Sequence, residues 1–141
     1  MAIASKGEIS DSIMLKPLIK KVIKFLNIYK IIGDSAYSSR KNIQFLSDLG
    51  IEPIIFPKKS ARRLSKGYPA WRKLILEFIE LGEKKWIEEK DYKLRLNSES
   101  IFNALKLKFG NILFSKSYKM LFKEILAKVI AHNIFVLASL I

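Results

Sequence analysis

Two short isoleucine-rich runs, separated by a helix-length segment, constrain the fold of this chain more than any other feature of its sequence. The first run, residues 28–32, ends at Gly33, and the second, residues 51–56, is closed by Pro57. Each run has the length of one strand, and the first is predicted to be mostly buried. A strand, a short helix and a second strand make a βαβ unit, so we expect the two strands to be parallel with a right-handed connection.

The segment between the two runs carries the signals of that helix. Ser38 or Ser39 is suited to cap its first turn, and Gly50 is suited to end it. The apolar period of the segment predicts three inward-facing residues, which are Ile43, Leu46 and Leu49.

Another helix is predicted ahead of the first run. Ser10 and Asp11 favour a helix start, and we place the main helix at residues 16–26 because Pro17 is tolerated only in a first helical turn. Residues 1–9 are predicted to form a strand fragment and a turn. The inward-facing residues of this helix are predicted to be Leu18, Val22 and Phe25.

The second half of the chain is predicted to be helical. An amphipathic helix spans residues 71–81 and ends at Gly82. Residues 83–109 form either one long helix or two helices with a break near Asp91. After a turn, a final helix begins at one of two serines, Ser115 or Ser117, and runs to residue 141.

The chain is strongly basic, with 26 Lys and Arg residues against 13 Asp and Glu residues in 141 and a formal net charge of +13. This excess favours a polyanionic partner, most simply nucleic acid, over a merely solubilising surface. A basic loop, residues 58–68, contains no acid. A phosphate-contacting loop and a solvated linker explain it about equally well. Its candidate contacts to DNA are Lys58, Lys59, Arg62 and Arg63.

Composition also excludes several classes of site. The chain contains no cysteine, which excludes disulfides, iron–sulfur clusters and cysteine-ligated zinc. Its one histidine, His132, lies in an apolar run without a nucleophile motif, so we expect a packed helix residue. That run, residues 129–141, is too short to span a bilayer, and we find no signal peptide, so we expect a cytoplasmic protein.

One carboxylate lies where α/β sheets position their ligands. Asp34 follows Gly33 at the carboxyl end of the first predicted strand. Ligands of open α/β sheets bind at that edge, so a metal ligand is one interpretation of Asp34. An ordinary turn aspartate is the other interpretation, and it is the more common case.

Four polar residues downstream form a second candidate site. If the segment is helical, they fall within roughly 60° of one another at about 100° per residue. The carboxylate suits Mg²⁺ or Mn²⁺, the guanidinium and the ammonium suit phosphates, and the phenol suits a phosphate or a base. An exposed face with an ion pair at i,i+4 explains the same spacing and is favoured by spacing alone. The four are Tyr92, Arg95, Glu99 and Lys106, and a separate apolar stripe consists of Leu94, Ile101 and Leu105.

These four residues also resemble the Y-R-E-K signature found around the last acid of many insertion-sequence transposases. Residues 33–37 (GDSAY) are similar to the motif that carries the second aspartate of that family. Residues 49–53 (LGIEP) and 57–59 (PKK) are similar to its run into a strand and a basic loop. The resemblance extends over almost the whole chain.

The resemblance implies an α/β fold, namely a truncated RNase H-like fold in which a βαβ unit with flanking helices precedes a mostly helical C-terminal half. Residues 1–57 would be the C-terminal part of the sheet region. The basic loop would follow, and residues 69–141 would form the helical region that carries the last acid.

The chemistry that the resemblance implies is cleavage and strand transfer of DNA with two Mg²⁺ or Mn²⁺ ions. Asp34 and Glu99 would then be metal ligands. Tyr92 and Arg95 would hold terminal phosphates, and Lys106 would contact DNA.

One element of the family pattern has no counterpart. The first aspartate of the family lies well upstream of the helix that precedes Asp34, and only nine residues precede Ser10. Asp11 matches an aspartate that the family often has at that helix start. We therefore expect a C-terminal fragment that lacks the first catalytic aspartate and does not cut DNA alone. Its expected partners are DNA, an upstream transposase fragment and, through an open sheet edge, a second copy of itself.

Two other functions stay open at this point. One is a non-catalytic DNA-binding remnant that inhibits an intact transposase by joining its oligomers. The other is a basic structural or RNA-binding protein, in which Tyr92, Arg95 and Glu99 can be replaced without effect on nucleic-acid binding.

Overall fold

The computed structural model describes residues 11–62 and 66–140 of the chain. The predicted strand fragment at residues 1–9, the Ser10 cap and Arg63 lie outside these described residues. Within them, helices predominate and two strands form one small parallel sheet. The chain divides into two compact units, one that ends at Arg95 and one that begins at Leu96.

The first helix, α1 (Asp11–Val22), begins and ends earlier than the sequence predicts. Pro17 lies inside this helix and not in its first turn. It removes the hydrogen bond that its N–H would donate to the carbonyl of Ile13. Both Pro17 and Ile13 lie on the exposed side of the helix. Water can satisfy a carbonyl there, which is why the helix tolerates the proline.

The buried face of α1 also differs from the prediction. Its buried residues are Leu15 and Ile19, each 5% exposed. Phe25 is 74% exposed because the helix has already ended, and its N–H donates to the Val22 carbonyl in a turn. The apolar stripe of this segment is broad, so the helical period alone did not select the inward face. The predicted inward residues Leu18 and Val22 are only half-buried.

The two strands, β1 (Lys30–Gly33) and β2 (Glu52–Ile55), pair in parallel, which confirms the predicted parallel pairing. In their register Gly33 lies opposite Ile55. β2 ends on two buried isoleucines, whereas β1 is half-buried and exposes Lys30. The prediction of a mostly buried first strand is therefore wrong. Ile55 of β2 belongs to the buried core cluster, whereas Ile31 of β1 is only partly buried against that cluster, so β1 lies at the margin of the core.

The helix between the strands, α2 (Arg40–Asp48), begins and ends as predicted. The side chain of Ser39 caps it by accepting a hydrogen bond from the Asn42 N–H at 3.2 Å. Gly50 follows the helix with φ of +72°, a left-handed conformation that suits glycine. Leu49 is 42% exposed, contrary to the prediction, because it lies at the C-cap and has left the buried face.

The third helix, α3 (Pro69–Glu89), is interrupted where the sequence predicts a helix end. Gly82 has φ of 73° and ψ of 161°, so it breaks the helical path between two helical segments. Asp91 has φ of 51° and separates α3 from a 3₁₀ turn, Tyr92–Leu94. Of the two alternatives for residues 83–109, the broken helix is therefore correct.

The core of the first unit lies where α1, α2 and α3 pack on the sheet. Its members are almost all branched apolar residues, so burial of their side chains supplies the main stabilisation of this unit. The buried cluster consists of Leu15, Ile19, Ile43, Leu46, Ile51, Ile55, Trp71, Leu74 and Ile75.

The second unit contains most of α4 (Arg95–Phe109) and all of α5 (Tyr118–Ala138). Ser117 caps α5 by accepting from the Met120 N–H at 3.3 Å, so Ser117 and not Ser115 opens the last helix. His132 is buried, as expected of a packed helix residue. In the part of the chain that the structure describes, no helix combines the length and the apolar character needed to cross a membrane.

Candidate functional site

Asp34 lies directly after β1, at the carboxyl end of the parallel pair. Its backbone carbonyl accepts a hydrogen bond from the Tyr37 N–H at 3.0 Å, which starts a 3₁₀ turn (Ser35–Tyr37). Its side chain makes no capping bond to this turn, and the residue is exposed. The carboxylate is therefore presented to solvent at the end of the sheet where the sequence predicts a ligand site.

The strand end beneath Asp34 is closely packed. A Cβ added at Gly33 would lie 3.4 Å from Cγ1 of Ile55 and 3.6 Å from Cδ2 of Tyr37. Both are ordinary van der Waals distances, so the space beside Gly33 would accept a methyl group. The pairing of Gly33 with Ile55 holds the peptide that leads into Asp34 beside β2.

Asn42 supports the turn after Asp34, and our sequence analysis missed it. Its side-chain nitrogen Nδ2 donates to the carbonyl of Tyr37 at 3.1 Å and to the carbonyl of Ser12 at 2.8 Å. Asn42 is only 3% exposed, so these bonds satisfy buried polar groups. It thereby ties the 3₁₀ turn to α1. A signal was present in the sequence, since Asn42 lies four residues before Leu46 on the inward face of α2.

Tyr92 is brought to the same strand end. Its hydroxyl donates to the carbonyl oxygen of Gly33 at 3.2 Å. The sequence predicted that Tyr92 lies on an α-helix with the other three polar residues. Instead, Tyr92 lies in the 3₁₀ turn Tyr92–Leu94. The left-handed backbone of Asp91 causes this difference, because it breaks the helical path just before Tyr92.

Arg95 stays next to Tyr92 despite the change of helix type. Its Cζ atom lies over the Tyr92 ring, 5.9 Å from the centroid. A 3₁₀ turn has three residues, so a spacing of three places the two side chains one above the other. A guanidinium over an aromatic face is a favourable cation–π arrangement. The structure therefore brings Tyr92, Arg95 and the strand end that carries Asp34 into the same unit.

Glu99 and Lys106 lie on α4 in the second unit. At about 100° per residue they share one stripe of that helix with Arg95, its first residue. Both are exposed. The apolar stripe predicted beside them is not buried, since Leu94 is 48% exposed and Ile101 is 53% exposed. The third member of that stripe, Leu105, is half-buried.

In the described part of the basic loop, hydrogen bonds hold the backbone, and the basic side chains are exposed. The Ala61 N–H donates to the Lys58 carbonyl at 2.8 Å, which closes a turn. The Trp71 indole N–H donates to the Arg62 carbonyl at 3.1 Å. The side chains of Lys58, Lys59 and Arg62 are exposed around this turn, whereas Arg63 is not among the described residues. The loop thus presents cations from an anchored backbone.

An ion-pair network ties the segment before Tyr92 to β2. The Lys90 ammonium lies 2.8 Å from Glu77 and 2.9 Å from Glu52, which is the first residue of β2. Partial burial opposes its charge, but hydrogen bonds to Glu77 and Glu52 raise the pKa of Lys90 above its ordinary value. Lys90 is therefore protonated at neutral pH and holds the end of α3 on the sheet.

The donor chemistry of the candidate ligands suits a hard divalent ion. Asp34 and Glu99 offer carboxylate oxygens, which Mg²⁺ and Mn²⁺ prefer. Asp34 belongs to the first unit and Glu99 to the second. Within residues 11–62 and 66–140, no group of three or more His, Cys, Asp or Glu side chains is arranged to hold a metal. Each carboxylate would therefore need further oxygen ligands, such as water or phosphate, to complete a coordination shell.

Comparison with known protein families gives a match. A family model described as "Transposase DDE domain" matches residues 1–134 of the chain. All of the candidate site residues fall inside this range. No curated protein and no solved structure matched the chain.

Proposed function

Because the chain belongs to the transposase DDE domain family, we propose that it contributes to metal-dependent cleavage and strand transfer of DNA, and that Asp34 and Glu99 ligate the divalent ions. The observation that carries this proposal is the exposed Asp34 carboxylate at the carboxyl end of β1, within the matched residues. The net charge of +13 is consistent with a DNA substrate.

The proposed roles follow from the chemistry of each side chain. Divalent ions, when bound, would activate a water or a DNA 3′-hydroxyl and stabilise the leaving oxygen. Asp34 and Glu99 supply negative oxygen ligands that hold such ions. Arg95 presents a planar fork of N–H donors that matches the two oxygens of a phosphate. Lys106 lies on the same stripe of α4 as Arg95 and adds a point charge for the DNA backbone.

The basic loop is proposed as a second contact to DNA. Lys58, Lys59 and Arg62 are exposed around a turn whose backbone is fixed by Trp71. Contacts from such side chains to phosphates position DNA without reading its sequence. The loop would therefore increase the affinity for DNA, and the Asp34 carboxylate would ligate the metal that cleavage requires.

The family pattern uses three acids, and our assignment supplies two of them. We infer that these two acids do not complete the site, and that a third carboxylate, supplied by another transposase segment, is needed before DNA is cut. Magnesium or manganese is the expected metal, since both are hard ions that accept carboxylate ligands. DNA and the polypeptide that carries the third acid are the expected partners.

The test is a nicking assay on supercoiled plasmid in Mg²⁺ or Mn²⁺. The chain is assayed alone and after co-production with the polypeptide encoded directly upstream of it. We expect no nicking by the chain alone, and nicking by the co-produced pair that is lost in Asp34→Asn and in Glu99→Gln. Glu80→Gln, an exposed residue of α3, makes the same change of charge and serves as the matched control.

Three results would change the proposal in different ways. Nicking by the chain alone that disappears in Glu99→Gln would keep the transposase chemistry and remove the need for an upstream segment. Nicking by the pair that persists in both carboxylate variants would contradict the assignment of the ligands. Suppressed activity of an intact relative on mixing, without any cutting by the pair, would instead indicate an inhibitor of intact transposase.

A further inference from the structure

The contact between Tyr92 and the end of β1 points to a function for this tyrosine that its spacing from the other three polar residues does not predict. We propose that Tyr92 is a positioning residue whose hydroxyl fixes the peptide that carries Asp34. The inference rests on the proposed function, in which Asp34 ligates a divalent ion. The Tyr92 hydroxyl lies 3.2 Å from the carbonyl oxygen of Gly33, and that carbonyl belongs to the peptide bond between Gly33 and Asp34.

The ring of Tyr92 is held in place by other aromatic rings. Its centroid lies 5.6 Å from that of Phe56 and 5.6 Å from that of Trp86. Trp86 is 1% exposed and also contacts Phe56 and Phe78 edge-to-face. Aromatic pairs at these separations are attractive beyond the area that they bury. The hydroxyl at the end of the ring is therefore delivered to one place.

The backbone on the N-terminal side of Tyr92 is held as well. Lys90 pairs with Glu52 at the start of β2, at 2.9 Å. Asp91 pairs with Lys30 at the start of β1, although this exposed pair is longer, at 3.9 Å. Consecutive residues thus attach to both strands before Tyr92 reaches the far end of β1. This arrangement suits a Tyr92 that fixes the end of β1 more than it suits a Tyr92 that moves to contact DNA.

The hydrogen-bonding capacity of a phenol separates the two functions. A tyrosine hydroxyl carries one proton and can donate one hydrogen bond. Phosphate oxygens accept and do not donate, so donation to Gly33 and donation to a phosphate exclude one another. Tyr92 as a contact to the terminal phosphates would require the Gly33 carbonyl to lose its donor. The neighbouring Arg95, which has five N–H donors, is the better phosphate ligand of the two.

Fixing this carbonyl affects the metal through Asp34. Gly33 is held on one side by its pairing with Ile55, and Tyr92 holds its carbonyl from the aromatic cluster. Groups that orient a metal ligand change metal affinity by about 10- to 100-fold when they are removed. We therefore expect loss of the Tyr92 hydroxyl to weaken metal binding at Asp34 by about tenfold.

The experiment uses the full chain labelled with ¹⁵N and ¹³C, and NMR spectroscopy. Tyr92→Phe keeps the ring and deletes the hydroxyl, and Tyr29→Phe makes the same deletion at a residue that is 80% exposed. Two quantities are measured. They are the ¹³C shift of the Gly33 carbonyl and the Mn²⁺ concentration that broadens the Asp34 amide resonance by half.

We expect Tyr92→Phe to fold, to move the Gly33 carbonyl resonance upfield and to raise the half-broadening concentration of Mn²⁺ about tenfold, with Tyr29→Phe unchanged in both. A p-aminophenylalanine introduced at position 92 restores a donor and should restore both values. An unmoved Gly33 resonance, or unchanged Mn²⁺ broadening in Tyr92→Phe, would overturn the positioning function. Asp34→Asn separates this failure from a failure of the proposed function, because it abolishes the broadening only if Asp34 is a ligand.

A titration of the unaltered chain with duplex DNA keeps the proposal testable without any variant. The Gly33 carbonyl resonance should stay in place as DNA binds, because the Tyr92 hydroxyl keeps its partner. An upfield movement of that resonance on adding DNA would show that the hydroxyl transfers to a phosphate. That result would replace the positioning function with direct DNA contact.

Discussion

The side-chain nitrogen of Asn42 donates to the carbonyl of Tyr37 at 3.1 Å, so a residue of α2 supports the turn that follows Asp34. The same nitrogen donates to the carbonyl of Ser12 at 2.8 Å, and Asn42 is 3% exposed. A buried amide with these partners connects three parts of the first unit. Its contribution is to the stability of the turn.

Replacing Asn42 with alanine should therefore destabilise the first unit. The carbonyls of Ser12 and Tyr37 would lose their donor, at a cost of about 1–3 kcal/mol in the free energy of unfolding. Urea unfolding followed by tryptophan fluorescence measures this change, since both tryptophans lie in this unit. Lys41→Ala, at the exposed neighbour, should change stability by less than about 0.5 kcal/mol. Equal stability of the two variants would contradict the role given to Asn42.

The break in α3 leads to a second prediction, which concerns the sign of the stability change caused by Gly82→Ala. Gly82 has φ of 73° and ψ of 161°, a region that essentially only glycine adopts. A Cβ at this position would meet nothing within 4 Å, so the cost of Gly82→Ala is conformational and amounts to about 1–3 kcal/mol. In a continuous helix the same change would stabilise the protein by about 1 kcal/mol. Stabilisation in a urea titration would therefore show that the helix is unbroken.

The pH dependence of the second unit depends on Glu124. Hydrogen bonds from the Ser115 side chain and from the N–H groups of Ser115 and Phe114 lower the pKa of Glu124 to about 2, from an ordinary value of 4.5. A carboxylate whose pKa is lowered by folding stabilises the folded state at pH values above its pKa in the unfolded state. This stabilisation is fully present above about pH 4.5 and is lost as the pH falls from 4.5 to about 2.

Glu124→Gln should accordingly flatten the loss of stability between pH 4.5 and 2. The measurement is urea unfolding followed by the amide resonances of α5 at a series of pH values, with Glu80→Gln as the exposed control. If the acid dependence of Glu124→Gln matched that of the unaltered chain, Glu124 would not be the group responsible.

The secondary structure of the first unit was largely predictable, because its signals are local. Ser39 and Gly50 bound α2 as cap and stop residues, and parallel pairing follows from a short helix between two strands. The start of α1 was not predictable in the same way. Pro17 lies in a helix interior because its face is exposed, and exposure depends on tertiary packing that a proline rule does not contain.

The candidate site was predictable in part, and for a similar reason. Asp34 at the strand end follows from the strand prediction alone. The partner of Tyr92 does not, because Gly33 is 59 residues away in sequence and the contact depends on the left-handed turn at Asp91. A helical wheel assumes one continuous helix, so it placed Tyr92 on the stripe of Arg95 and missed the hydrogen bond to the sheet.

Salt dependence tests the basic loop. Each contact from a lysine or arginine to a phosphate of duplex DNA adds about 0.9 to the slope of log K against log salt concentration. The double variant Lys58→Ala, Lys59→Ala should therefore lower the slope by about 2, measured by fluorescence anisotropy with a labelled duplex. Lys20→Ala, Lys21→Ala, in the last turn of α1, removes the same charge elsewhere and is the comparison. Equal slopes for the two double variants would contradict a specific contact by the loop.

The most direct test of the central claim is a Mn²⁺ titration followed by electron paramagnetic resonance, on the unaltered chain and on Asp34→Asn and Glu99→Gln. Loss of a carboxylate ligand should weaken Mn²⁺ binding at least as much as loss of a group that only orients one, by about tenfold or more. We predict that each variant weakens binding to that extent while Glu80→Gln binds as the unaltered chain does. Unchanged Mn²⁺ binding in both Asp34→Asn and Glu99→Gln would contradict their assignment as the metal ligands.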